Sequence, residues 1–435
     1  MKFPLPKPPV NQQMNQKNIA QLNQKINKLS EEFKKTYANG DFLAAYQAVS
    51  QVLKLVPNHV VAIMDLALTE LRLKRYDDAY RHYQQAIKLN PNKIDTNIYD
   101  GLAEVCHYLE KKEDVQKYGA LALSSKKELV AHQPILKLIT ELPPHFNMSE
   151  PEQNIIAFSL FGANPRYCET SVINIDLAKE IYPAWTCRFY VDETVPQNIV
   201  ERLTNKGAQA IYVNEEQKLF SGLFWRFLVM DDPTVKRFMI RDADSLVSYR
   251  EKAAVNEWLN SDKWFHTMHD FYSHTELILA GMWGGCHGVF ENIEQLIRDF
   301  IATGRFLNER VMDQHFLRYV IWSTIAQSIM IHDSQGFDAD GMNFPTVIKQ
   351  KDYELNPQFH VGMNEGASVI TVEVKIPDSC VNLSVLDEQD QRICSYFLDV
   401  PSSRTIALDM PQHYALKIKD HAWKVSVNSI ENKID

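Results

Sequence analysis

KRFMIRDADS, residues 236–245, is the stretch on which the reading of this chain turns. Its apolar run Phe238 to Ile240 gives way to Asp242, Ala243 and Asp244, and in an extended segment residues i and i+2 face the same way. Both carboxylates therefore leave the exit end of a strand together. Hard divalent cations take oxygen ligands, and Mg²⁺ is commonly held by one or two carboxylates plus substrate phosphates. The pair is thus a candidate clamp for Mn²⁺ or Mg²⁺ bridging to a diphosphate. A surface turn or a helix cap explains many such triplets. This one follows a strand-like run that begins after the breaker Asp231-Asp232-Pro233, among alternating strand and helix patterns, where ligands gather at strand carboxyl ends.

Outward from the triplet, Ile155 to Leu160 reads as a buried strand and Cys168 to Ile181 as an amphipathic helix. Cys187 to Val191 is a second strand, Pro196 opens a helix to about Asn205, Gln209 to Val213 is a third strand, and Phe220 to Met230 is helical. This alternation predicts a parallel sheet covered on both faces. Downstream, Trp264 to Met268 has strand character, and Leu277 to Gly285 reads as a strand and glycine turn whose Gly284 and Gly285 would permit close backbone approach to a sugar. After about Gln358 the pattern changes to short alternating runs at 369–374, 381–386, 393–398, 405–408, 414–418 and 423–427, the spacing of a small antiparallel β-sandwich.

Upstream, a proline-rich connector at 133–151 ends a helical region. There Phe42, Ala45, Val52 and Pro57 recur as Tyr76, Ala79, Ala86 and Pro91, each displaced by 34 residues. A third unit, two residues longer, echoes Ala67, Ala79 and Ala86 as Ala103, Val115 and Ala122. Small residues at fixed positions let paired helices approach closely. The segment resembles tetratricopeptide repeats, which implies stacked helix pairs and a concave groove for a peptide or protein partner; a spacer or dimerisation arm is the competing reading. The expected organisation is multidomain: a flexible leader at 1–28 passing into a polar helix, an all-α repeat segment at 29–132, a linker at 133–153, an α/β domain at 154–357 and a β-sandwich at 358–435.

Composition narrows the function. A chain of 435 residues supports two or three domains, and its formal charge of −9 disfavours non-specific nucleic-acid binding. The six cysteines contain no Cys-x-x-Cys pair, which argues for reduced, buried thiols over zinc ribbons or redox motifs. No segment approaches the roughly 18 apolar residues of a membrane span, and the N-terminus lacks a signal-peptide core. The expected location is cytoplasmic, compatible with a peripheral position at the inner membrane.

An Asp-x-Asp after an inner strand of an α/β sheet resembles the GT-A glycosyltransferases, and the resemblance spans residues 154–337. IAFSLFGANPRY, 156–167, looks like the first strand and its nucleotide-facing loop, with Asn164 and Arg166 as donor-binding candidates. Asp192 in YVDETVP ends the second strand, where this fold contacts base or ribose, and Arg226 in GLFWRFL precedes the acidic motif, where a guanidinium would hold diphosphate oxygens. Asp242 and Asp244 match the metal motif, Asp242 doubling as a donor contact. In the retaining families that include glycogenin and the lipopolysaccharide galactosyltransferases, an Asp-Gln pair sits beside the anomeric carbon and a later histidine completes the metal site. Carried over, these are Asp313 and Gln314, and His332 as third metal ligand. The stretch from Arg241 to Phe271, followed by LILAGMWGG, is also similar to bacterial, capsule-associated proteins of GT-A type.

The resemblance implies metal-dependent transfer, of hexosyltransferase type, from a nucleotide sugar, UDP-linked ahead of GDP-linked, to a polysaccharide, lipopolysaccharide or protein acceptor. Asp270 and His274 would line the acceptor pocket, together with Gly284 and Gly285 on the donor side. A competing reading gathers His266, His269, Asp270 and His274 as a zinc cluster. From another class comes a non-catalytic repeat adaptor whose GT-A-like domain binds nucleotide sugar or glycan without turnover.

Overall fold

The computed structural model describes residues 16–91, 95–307, 311–366 and 368–429. The chain divides into two compact units, Met1–Ser125 and Lys126–Asp435. Residues 1–15 of the expected leader lie outside the described residues; the polar helix that follows begins at Gln16.

The first unit is built from α1 (Gln16–Ala38), α2 (Phe42–Leu55), α3 (Val60–Arg72), α4 (Tyr76–Leu89), α5 (Thr96–Tyr108) and α6, which starts at Lys112 and ends at Leu129 in the second unit. Helices α2 and α4 begin at Phe42 and Tyr76, two positions that the repeat makes equivalent. The recurring small residues are where the helices close on one another: Ala45, Ala67, Ala79, Ala86, Ala103 and Ala122 are all buried. The turn within each helix pair also repeats. Gly40, Lys74 and Glu110 all have positive φ, at 77°, 60° and 58°. In each case the next N–H reaches back five residues, Asp41 to Thr36 O, Arg75 to Glu70 O and Lys111 to Cys106 O, closing the helix end. Gly101 on α5 is required by packing, because a Cβ there would enter the buried Tyr83 ring.

In the second unit the elements are β1 (Asn154–Leu160), α7 (Pro165–Ile181), β2 (Thr186–Val191), α8 (Gln197–Asn205), β3 (Gln209–Tyr212), β4 (Arg237–Arg241), α9 (Tyr249–Leu259), β5 (Phe265–His269) and β6 (Met282–Cys286). Then come α10 (Ile293–Ala302), α11 (Met312–Phe316), α12 (Trp322–Ile325) and β7 (Ile329–Asp333). A 3₁₀ segment, Gly222–Asp231, precedes β4. Strands β1 to β7 form one sheet of order β3-β2-β1-β4-β6-β5-β7. The four strands that alternate with helices up to Arg241 pair in parallel as expected, and the sheet becomes mixed beyond them: β6 runs antiparallel to both β4 and β5. Gly284 and Gly285 are not in a turn. They lie inside β6, where Cβ atoms would strike Phe238 O and the Phe265 ring, so their close backbone approach is to neighbouring strands.

The C-terminal region forms two small antiparallel sheets. One is three-stranded, of β9 (Cys380–Leu386), β10 (Arg392–Asp399) and β12 (Lys424–Ser429); the other pairs β8 (Ser368–Glu373) with β11 (Thr405–Met410). The expected strand at 414–418 is instead helix α13 (Gln412–Lys419). Pro411 stands at its start, and Tyr414, Ala415 and Ile418 turn inward at helical spacing. These sheets share one apolar core with α7, α8 and the first strands, through residues such as Val172, Ile199, Val381, Val385 and Leu408. Among the described residues no helix is long and apolar enough to cross a membrane.

Candidate functional site

All five residues of β4 are buried, as an inner strand requires, and β1 runs parallel to it with Asn154 opposite Arg237 and Ala157 opposite Ile240. Parallel pairing puts the loop after β1 and the triplet after β4 at one carboxyl edge of the sheet.

Arg226 organises that edge. The residue is only 4% exposed, and its main-chain N–H donates to Ser159 Oγ of β1 at 2.9 Å. One terminal nitrogen donates to Asp242 Oδ1 and, at 3.1 Å, to Arg241 O; the other donates to Asp313 Oδ2 at 2.9 Å. Burial works against the guanidinium charge, and Asp242 and Asp313 more than offset it, so its pKa lies above the ordinary value. Asp313, on α11 and itself buried, is pushed up by desolvation against the pull of Arg226. Its Oδ1 accepts from the Gln314 N–H at 3.0 Å, and the half-buried Gln314 follows it on the helix.

Arg166 does for Asp244 what Arg226 does for Asp242. Asn164 caps α7 by accepting from the Arg166 N–H at 2.9 Å, Pro165 fills the first helical position, and the Arg166 guanidinium then reaches Asp244 Oδ2 at 2.5 Å. Asp409 lies 3.8 Å from the same guanidinium. Burial and then the charge of Asp242 push the Asp244 carboxyl up, with Arg166 opposing. Asp192 accepts from the Thr194 N–H at 3.1 Å, and Thr194 Oγ1 accepts from the Gly162 N–H at 2.6 Å, tying the second strand's exit to the first.

Asp242, Asp244 and Asp313 thus face Arg226 and Arg166, an excess of acceptor oxygens over cations. The Asp242 side chain is 42% exposed and the Asp244 side chain 14%. Carboxylate oxygens are the ligand type that a hard divalent cation takes, and each of these two is engaged by a guanidinium. Among the described residues no third His, Cys, Asp or Glu joins them as a ligand group.

His332 is not brought to this pair, which corrects its assignment as third ligand. On β7 and fully buried, it meets His266 Nε2 through Nδ1 at 2.8 Å and Glu257 Oε2 through Nε2 at 3.0 Å. The zinc cluster is likewise dispersed. His266 and His269 lie three apart on β5, which sends them to opposite faces, and His269 Nε2 meets Glu276 O at 2.9 Å. Asp270 accepts two bonds from Arg250, at 2.8 and 2.6 Å, and one from the Val361 N–H, while His274 Nδ1 accepts from the Asp270 N–H at 2.9 Å. Both residues hold their own loop in place.

Three participants escaped the sequence reading. Gly281 lies against the acidic motif, since a Cβ there would collide with the Asp242 carboxylate. Glu365 donates its N–H to Asp244 O at 2.7 Å, and Ser159 positions Arg226. Gly281 had a signal in the glycines of 277–285; the other two are set by tertiary contact.

The tetratricopeptide repeat family matches residues 36–106. No curated protein matches the chain. Among solved structures, the TPR2B domain of yeast Sti1 in its pHsp70 complex aligns at 18% identity over 24% of this chain and 83% of that one, with a TM-score of 0.23. A point mutant of the Thermobaculum terrenum O-GlcNAc transferase aligns at 17% identity over 46% of this chain and 43% of that one, with a TM-score of 0.25. At such scores neither alignment carries an argument about this chain. The family match and the repeating turns together make the N-terminal unit a tetratricopeptide-repeat-like array.

Proposed function

We propose that the carboxyl edge of the large sheet binds a nucleotide-sugar donor, UDP-linked ahead of GDP-linked, and that the chain transfers the sugar to a glycan or protein acceptor. The observation that carries this reading is the joining of Asp242 and Asp313 through the buried Arg226, beside the Asp244–Arg166 pair. In glycosyl transfer, negative charge grows on the departing diphosphate, so cations already in place lower the barrier. Arg226 and Arg166 are such cations, held by carboxylates and the Ser159 contact before any ligand arrives. Asp242 and Asp244 would hold Mn²⁺ or Mg²⁺, which when bound supplies further neutralisation of the leaving group.

Asp313 orients Arg226 through one oxygen, and its raised pKa suits a group that exchanges a proton. On the acceptor face of the sugar it would take the hydroxyl proton and give inversion; on the opposite face it would support retention. Asp192 and the Gly162–Thr194 contact shape the loops where base and ribose would lie. The repeat array is assigned to a protein partner or a polypeptide acceptor, whose local concentration at the transferase unit it would raise.

The test is thermal melting of the full chain with UDP, GDP and CMP, with and without Mn²⁺. One nucleotide is expected to raise the Tm by roughly 5 °C at a hundredfold excess over Kd, only with metal, and the Asp242→Asn/Asp244→Asn pair should abolish the rise. A shift surviving in the double variant would remove the carboxylate pair from the donor site.

A further inference from the structure

A cavity of about 590 Å³ opens next to the acidic triplet, inside the size range of roughly 300–1,000 Å³ typical of small-molecule sites. Its apolar wall comes from Ile173 and Leu177 of α7, Leu246 just past Asp244, Phe359, Met363 and Leu416 of α13. Leu416 stays 49% exposed at the rim. Polar side chains line it as well, among them Asn356, Asn364, Gln412, His413 and Glu365. Glu365 is 9% exposed, and its Oε2 has no hydrogen-bond partner among the described residues. An acceptor oxygen buried in this way is costly to leave unpaired, and a ligand O–H would recover that cost. Through its own N–H, Glu365 is bonded to Asp244 O at 2.7 Å, which ties the cavity lining to the backbone of the acidic motif.

We propose that this groove is the acceptor subsite, taking the apolar body of a small hydroxyl-bearing amphiphile whose hydroxyl donates to Glu365. The acceptor role rests on the glycosyl-transfer reading above; the binding itself does not. A wall with a large apolar share and a buried unpaired acceptor among its polar groups, beside the proposed donor site, favours an apolar aglycone with a hydroxylated head over a free sugar, which has no apolar body to fill the cavity. The groove also replaces Asp270 and His274 in that role, since both are committed to their loop.

The experiment titrates the full chain with octyl β-D-glucoside below its micellar concentration and with methyl β-D-glucoside, by calorimetry. Wild type, Leu416→Arg and Glu365→Gln are compared, and nucleotide melting shifts are recorded on the same samples. The octyl glucoside should bind saturably and at least tenfold more tightly than the methyl glucoside. Leu416→Arg, a rim change that spares the core, should weaken it tenfold or more, and Glu365→Gln several-fold, while the Leu416→Arg nucleotide shift stays at the wild-type value. Absence of saturable binding, or binding indifferent to Leu416→Arg, overturns the groove even if the nucleotide shift is present. Groove binding without any nucleotide shift in the wild type overturns the acceptor role together with glycosyl transfer.

Discussion

Burial pushes the Asp65 carboxyl of α3 up to about 6, against the pull of Lys34. The folded repeat unit therefore binds that proton more tightly than the unfolded chain does, and the contribution to stability is lost as pH rises through the folded value. Asp65→Asn should raise the melting temperature of the repeat unit at pH 7.5, and the gain should vanish by about pH 3, where wild-type Asp65 is largely protonated in both states. A gain independent of pH across that range would show that burial of the charge is not the cause. At this same scale the acidic motif was legible as the point where an apolar strand run stops, but Asp242 and Asp244 lie in the turn after β4, so the i, i+2 rule of a strand does not set where they point. The bond from Arg226 to Asp313 was not legible, since it spans 87 positions of sequence and depends on how α11 packs over the 3₁₀ segment. His332 illustrates the converse: its place in the chain order fitted a metal ligand, yet strand pairing of β5 with β7 commits it to His266.

Elements repeat more faithfully in backbone than in side chains within the helical unit. The left-handed turn residue is glycine only once; Lys74 and Glu110 carry side chains at φ near 60°, a conformation that costs a non-glycine residue about 1 kcal/mol or somewhat more. Lys74→Gly and Glu110→Gly should each stabilise the repeat unit, by about 0.5–1 kcal/mol in urea unfolding, less whatever glycine gains in the unfolded chain. A loss of comparable size would mean that the long side chains contribute packing that outweighs the strain. The 34-residue recurrence and the early strands were readable from periodicity, because each element buries one continuous face. Short segments were not: Tyr414 to Ile418 satisfies strand and helix patterns alike over so few residues, and Pro411 with the packing of α13 decides between them. The direction of β6 has no local signature, since an antiparallel strand between two neighbours presents the same apolar run as a parallel one.

At the scale of the molecule, the change of periodicity near 358 marks a change of sheet type within a continuous core. Glu169 of α7 receives Arg202 of α8 at 2.7 and 2.8 Å and the Tyr396 hydroxyl of β10 at 2.6 Å, so a buried carboxylate joins the small sheets to the helices flanking the large one. The small sheets also supply Asp409 beside Arg166 and α13 beside the amphiphile groove. They are thereby part of the candidate site's architecture, a role that a list of alternating runs does not reveal. What the whole assembly is claimed to do is break the bond between a sugar and a nucleoside diphosphate at the cluster centred on Arg226. The most direct measurement is release of nucleoside diphosphate from a panel of nucleotide sugars by the full chain with Mn²⁺ and octyl glucoside, comparing wild type with Asp313→Asn. Wild type should release nucleoside diphosphate from one donor class, and Asp313→Asn should lose roughly a hundredfold or more of that rate with nucleotide binding retained; binding of that nucleotide without release by the wild type would contradict glycosyl transfer at this cluster.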